Sequence, residues 1–171
     1  MKVTVIAAAL SFAALSANAD DRLVRFDGGI GVDPVSSGQG AGPTATVVNR
    51  NIVRGVQPPG QLWTISSLKA DVRTDGSIRV DGRGLLLAGG NGIGTNANQS
   101  VRATLICDTT ITPPATTPPL FNSQLVPLEA NGDFRIDDVL DPLPPAECAS
   151  PVLLIRNPAG AWFAAGIVKL P

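Results

Sequence analysis

The chain contains no histidine and no tyrosine, and this bounds its chemistry tightly. A Ser-His-Asp triad, a Cys-His pair and a histidine-based metal centre all need an imidazole as base or ligand. Carboxylates and lysine are what remain for acid–base work. The carboxylates bunch between Glu129 and Glu147. Glycoside cleavage is the reaction two carboxyls can run alone, one protonating the leaving oxygen while the other attacks or activates water. Glu129, Asp137, Asp138, Asp141 and Glu147 are the candidates for such a pair. The same stretch has a calcium reading, with Asp133, Asp137, Asp138 and Asp141 as weak candidates and a looser set at Asp71, Asp75 and Asp81. Calcium takes about six to eight oxygens, often from a loop with ligands at alternate positions. Neither stretch carries the D-x-[DN]-x-[DN]-G loop, and neighbours such as Asp137 and Asp138 on one strand point to opposite faces. The sequence is read as holding no metal site and no cofactor.

A repeat runs through both aspartate sets. "TDGSIRVDG" (Thr74 to Gly82) and "ANGDFRIDD" (Ala130 to Asp138) share the frame [DN]-G-x-[IF]-R-[VI]-D. Asp-Gly and Asn-Gly between strand-like runs are strong hairpin signals, because both residue types tolerate positive φ. Ile78 and Val80 then face a core while Arg79 and Asp81 face water, and Phe134 and Ile136 against Arg135 and Asp137 repeat the arrangement. The repeat is read as one hairpin device used twice, in corresponding places of two sheets.

The elements that must position these residues read as strands throughout. Glycine and proline recur every few residues, and no dozen residues keep a 3.6-residue apolar period. Strands are expected at Leu23–Val32, Ala45–Val56, Leu62–Val72, Ile78–Ala88, Val101–Cys107, Gln124–Leu128, Phe134–Val139, Val152–Arg156 and Trp162–Val168, from their β-branched residues, alternation and intervening turns. About eight or nine short strands without helices predict an antiparallel β-sandwich, immunoglobulin-like or related, with a partly closed β-barrel as the alternative.

Export is written at the N-terminus. Lys2, the apolar run Val3 to Leu15 and the small residues Ala17 and Ala19 form a secretory signal peptide over residues 1–19, too short for a membrane span. Residues 20–171 are then a single β domain, periplasmic or extracellular, with no membrane span after cleavage. Cys107 and Cys148 are the only cysteines. In an oxidising compartment they are expected to form a disulfide rather than a metal site or a catalytic thiol.

Three other stretches invite functional readings. "LLLAGGNGIGT" (Leu85 to Thr95) has G-x-G-x-G instead of G-x-G-x-x-G and no helix after it, so it is read as a bulged connection and not as a dinucleotide site. The Thr/Pro-rich segment Asp108 to Phe121 reads as an extended surface loop. Trp63 and Trp162 each follow a turn, and core-edge packing is preferred over a role as sugar-binding platforms.

Over most of residues 20–171 the chain resembles a group of uncharacterised secreted bacterial proteins, through "GRGLLLAGGNGIG", "LEANGDFRIDDVL" and "CASPVLLIRN" with "GAWFAAGI" behind it. The resemblance implies a common exported β fold, supports the cysteine pairing and carries over no site. Without Lys2 the chain has 12 basic and 14 acidic residues. Its arginines are spread singly along the strands, which argues against a nucleic-acid partner. The reading is an exported non-catalytic module with a protein or envelope partner that the sequence does not identify. The alternative is the carboxylate-based glycoside hydrolase.

Overall fold

A computed structural model describes residues 21–32, 51–107 and 118–170. The expected signal peptide, the first half of the expected strand Ala45–Val56 and residues 108–117 of the Thr/Pro segment lie outside them. The described residues contain no helix. Their strands are β1 (Arg22–Gly31), β2 (Trp63–Thr64), β3 (Ser67–Arg73), β4 (Ser77–Arg83), β5 (Leu86–Leu87), β6 (Ser100–Ile106), β7 (Leu120–Asn122), β8 (Val126–Pro127), β9 (Phe134–Val139), β10 (Val152–Arg156) and β11 (Trp162–Val168).

The fold is all-β and antiparallel, as expected. One sheet runs β7-β6-β10-β11-β1-β3-β4-β9, with β8 also paired to β6, and β2 pairs with β5 as a small second sheet. The large sheet curls until its two ends touch. The Asn122 and Asp141 amides each donate to the other residue's carbonyl, at 3.0 and 2.9 Å. Sandwich-like packing therefore comes from one sheet folding back over its own core, which joins features of both expected architectures.

Alternation decides which side of each strand is buried. On β3 and β4, Leu68, Ala70, Val72, Ile78 and Val80 are buried and their neighbours face outward. On β6 and β10, consecutive residues such as Leu105 and Ile106, or Leu153, Leu154 and Ile155, are all buried, so these strands are covered on both faces. Trp63 and Trp162 are buried, as expected. Trp63 stacks on Phe163 at 3.9 Å between ring centroids, and the Trp162 indole N–H donates to the Asn51 carbonyl at 3.0 Å. The expected disulfide is present between Cys107, at the end of β6, and Cys148.

The structure differs from the expected strands at the breaks. Leu62–Val72 is divided at Ile65–Ser66, and Ile78–Ala88 is divided at Gly84, whose φ of +64° no extended strand holds. Residues 51–56 contribute only an isolated bridge between Val53 and Val56. β7 was unexpected, because Leu120–Asn122 follows directly on a proline-rich run.

Candidate functional site

The repeated frame builds the same turn twice. At the first copy the Gly76 amide donates to the Arg73 carbonyl, and at the second the Gly132 amide donates to the Glu129 carbonyl. The side chain before each glycine then accepts from the backbone two residues on: Asp75 Oδ1 from the Ser77 amide at 2.8 Å, and Asn131 Oδ1 from the Asp133 amide at 3.0 Å. Only the glycines have positive φ, +83° and +81°. These are three-residue turns ending in a left-handed glycine, not two-residue turns with both central residues left-handed. The Ser77 hydroxyl also donates to Asp75 at 2.7 Å, and this bond first, then the Ser77 amide, holds the Asp75 carboxyl below its usual range.

The strands that follow the two turns are not in separate sheets. They are neighbours: β4 pairs with β9, and antiparallel register sets Arg79 opposite Asp137 and Asp81 opposite Arg135. An R-x-D strand laid antiparallel on another R-x-D strand is complementary to it. The pattern continues across β3 and β1. One row reads Arg25, Asp71, Arg79, Asp137, and the next reads Asp27, Lys69, Asp81, Arg135. Signs alternate along each strand and across each row, giving a checkerboard on the outward face, with an open depression of about 400 Å³ over both rows.

Cations surround this core of the face. Arg22, Arg73 and Arg83 continue the outward positions of β1, β3 and β4, and Lys169, just past β11, reaches Asp27 at 3.2 Å. The bond from Lys169 leads the effects that hold the Asp27 carboxyl below its usual range. Arg22 meets Asp71 at 2.9 Å, Arg79 meets Asp137 at 3.3 Å and Arg83 meets Asp81 at 3.2 Å, while Arg135 stands 3.8 Å from Asp81. Among the described residues the face thus gathers eight of 11 basic residues and four of 11 acidic ones, a local charge of +4 against −4 for the other described residues. Cations read as scattered along the sequence are clustered in space. Each strand supplies only one or two, so no segment looks basic; lateral pairing concentrates them.

The carboxylates with hydrolase or calcium readings are dispersed. Asp137 faces outward in the checkerboard. Asp138 is turned to the Gln124 amide at 2.6 Å, and Asp133 accepts from the Gly84 amide at 3.0 Å. Asp141 sits at the bridge to Asn122, and Glu129 and Glu147 are exposed. Among the described residues no three of His, Cys, Asp and Glu come together as a metal site would require. In the glycine-rich stretch, the Leu87 and Gly94 amides donate to the carbonyls of Thr95 and Leu87 at 2.9 and 2.8 Å, so the loop closes on itself. No protein-family model, curated protein or solved structure matches the chain.

Proposed function

We propose that this chain is an exported, non-catalytic bacterial β module, periplasmic or extracellular, whose work is binding and whose working surface is the outward face of β1, β3, β4 and β9. One observation carries the reading: a solvent-facing area whose described residues sum to a charge of +4, against −4 for the other described residues. Charge segregated in this way raises the local concentration of an oppositely charged partner and speeds its arrival. The disulfide is compatible with export. Dispersal of Glu129, Asp137, Asp138, Asp141 and Glu147 supports a binding role over a hydrolytic one, since glycosidic cleavage needs two carboxyls across one cleft.

The test is retention on a surface coated with polyacrylate, a polyanion with no other chemistry. Wild type is expected to be retained at low salt and released as salt rises. The Arg79→Glu, Arg135→Glu double variant is expected to pass through. Equal retention of both proteins overturns the reading. Glycan hydrolysis abolished by Asp137→Asn or Glu147→Gln would replace it with the hydrolase.

A further inference from the structure

We infer that the partner of this face is a linear acidic polysaccharide, an inference that rests on the binding role proposed above. The cations of this face are arranged in files. By register, Arg73, Arg79 and Arg135 form one diagonal file across β3, β4 and β9, and Arg25, Lys69 and Arg83 form a second across β1, β3 and β4. Asp71 and Asp81 lie between the files. Strand spacing and the two-residue repeat put successive members of a file about 8 Å apart.

That spacing selects among polyanions. Three cations converging on one point would suit a phosphate head group, whereas cations set in files, with backbone positions about 8 Å apart and carboxylates beside them, better suit acid groups spread along a line. A nucleic-acid strand carries a phosphate on every nucleotide and offers Asp71 and Asp81 few hydroxyls. Single-stranded nucleic acid also favours aromatic platforms, and the outward positions of β1, β3, β4 and β9 hold no aromatic residue. An acidic polysaccharide offers separated acid groups for the two files and hydroxyls between them. Asp71 and Asp81 can accept hydrogen bonds from those hydroxyls. The cations are available to it: Arg79 and Arg135 expose 76% and 81% of their side chains, and ion pairs so exposed hold their partners weakly.

The experiment is titration calorimetry of the full chain with polygalacturonate, polyacrylate, a single-stranded DNA oligomer and phosphatidylglycerol vesicles, at matched ionic strength. Polygalacturonate is expected to bind tightest, and neutral dextran not at all. Arg79→Glu with Arg135→Glu is expected to weaken it by about tenfold or more, whereas Arg102→Glu, on β6, leaves it within about twofold. Asp71→Ala with Asp81→Ala separates the polysaccharide from a plain polyanion: it should weaken polygalacturonate and strengthen polyacrylate. Polyacrylate binding as tight as polygalacturonate, or tighter binding of DNA or vesicles, overturns the inference and leaves the binding face standing. Absence of binding to every probe, in protein whose thermal transition is intact, overturns both.

Discussion

Arg79 and Asp137 stand opposite each other in the β4–β9 ladder, Nε to Oδ2 3.3 Å, and Asp81 and Arg135 take the reverse order one step along. Two copies of one short motif, in which the paired Arg79 and Asp137 are 58 residues apart, are thus each other's partner. Pairing in this register matches opposite charges at both positions, whereas a shift by two residues along β9 would break both matches and a shift by one would turn Phe134 and Ile136 out of the core. The motif specifies lateral register more than it adds stability, because Arg79 and Asp137 are 76% and 68% exposed and such pairs contribute about 0–1 kcal/mol.

Charge reversal tests this. Arg79→Asp sets like charges opposite each other and is expected to lower stability by about 0.5–1 kcal/mol, and Asp137→Arg by a similar amount. The double reversal should recover most of the loss. Urea unfolding at low and high salt, run as a double-mutant cycle, checks it. A coupling energy of zero at low salt would remove the register argument.

The two turn glycines have the same φ but different surroundings. A Cβ on Gly76 would lie 2.6 Å from Leu143 Cδ2, the end of an exposed and movable side chain, whereas one on Gly132 would lie 2.6 Å from the Leu85 amide nitrogen and carbonyl oxygen. Gly76→Ala should cost about 1 kcal/mol from backbone strain. Gly132→Ala should cost about 2–3 kcal/mol, because Leu85 is fixed by its amide's bond to the Gly132 carbonyl at 2.9 Å. Equal losses of stability for the two variants would show that the contact with Leu85 relaxes freely.

Strand identity was legible where it depended on neighbours in sequence. Ile78, Val80, Phe134 and Ile136 were readable as core, and Arg79, Asp81, Arg135 and Asp137 as surface, because a two-residue period is local. Breaks were less legible: Ser66 and Gly84 sit inside two long runs that each read as a single strand, and the division there goes with a tertiary bond from the Ser66 amide to the Arg83 carbonyl at 2.9 Å. β7 was hidden because Leu120–Asn122 pairs with β6 despite a flanking composition that signals loop. The charged face was illegible as a face. No local rule says that β4 lies between β3 and β9 or that β1 lies beside β3, and without those neighbours Arg25, Lys69, Arg79 and Arg135 are four isolated cations.

The disulfide spans 41 residues between Cys107 and Cys148. Closing a loop of that size should stabilise the fold by about 4 kcal/mol in the chain-entropy model. Cys107 is completely buried and paired near the edge where β6 meets β7. Replacing both cysteines by serine should therefore lower the urea midpoint and somewhat raise the slope, since the uncrosslinked chain unfolds to a less compact ensemble. A midpoint unchanged within error would mean that the disulfide adds nothing to stability.

Acid should weaken the first turn before it reaches the core. Asp75 is held below the usual carboxylate range by the Ser77 hydroxyl and amide, so it binds a proton less readily folded than unfolded. Its stabilisation is then fully present above about pH 4 and is lost as pH falls through the lower folded value. Asp75→Asn separates the charge from the turn, because asparagine fills the same role at Asn131, where Oδ1 accepts the Asp133 amide at 3.0 Å. The variant should match the wild-type fold, be slightly less stable near neutrality and lose less of its thermal midpoint on acidification, so that the two melting curves converge once pH has fallen through the lowered value of Asp75. Curves that stay parallel across that range would show that the Ser77 bonds to Asp75 do not distinguish the charged carboxylate from the neutral acid.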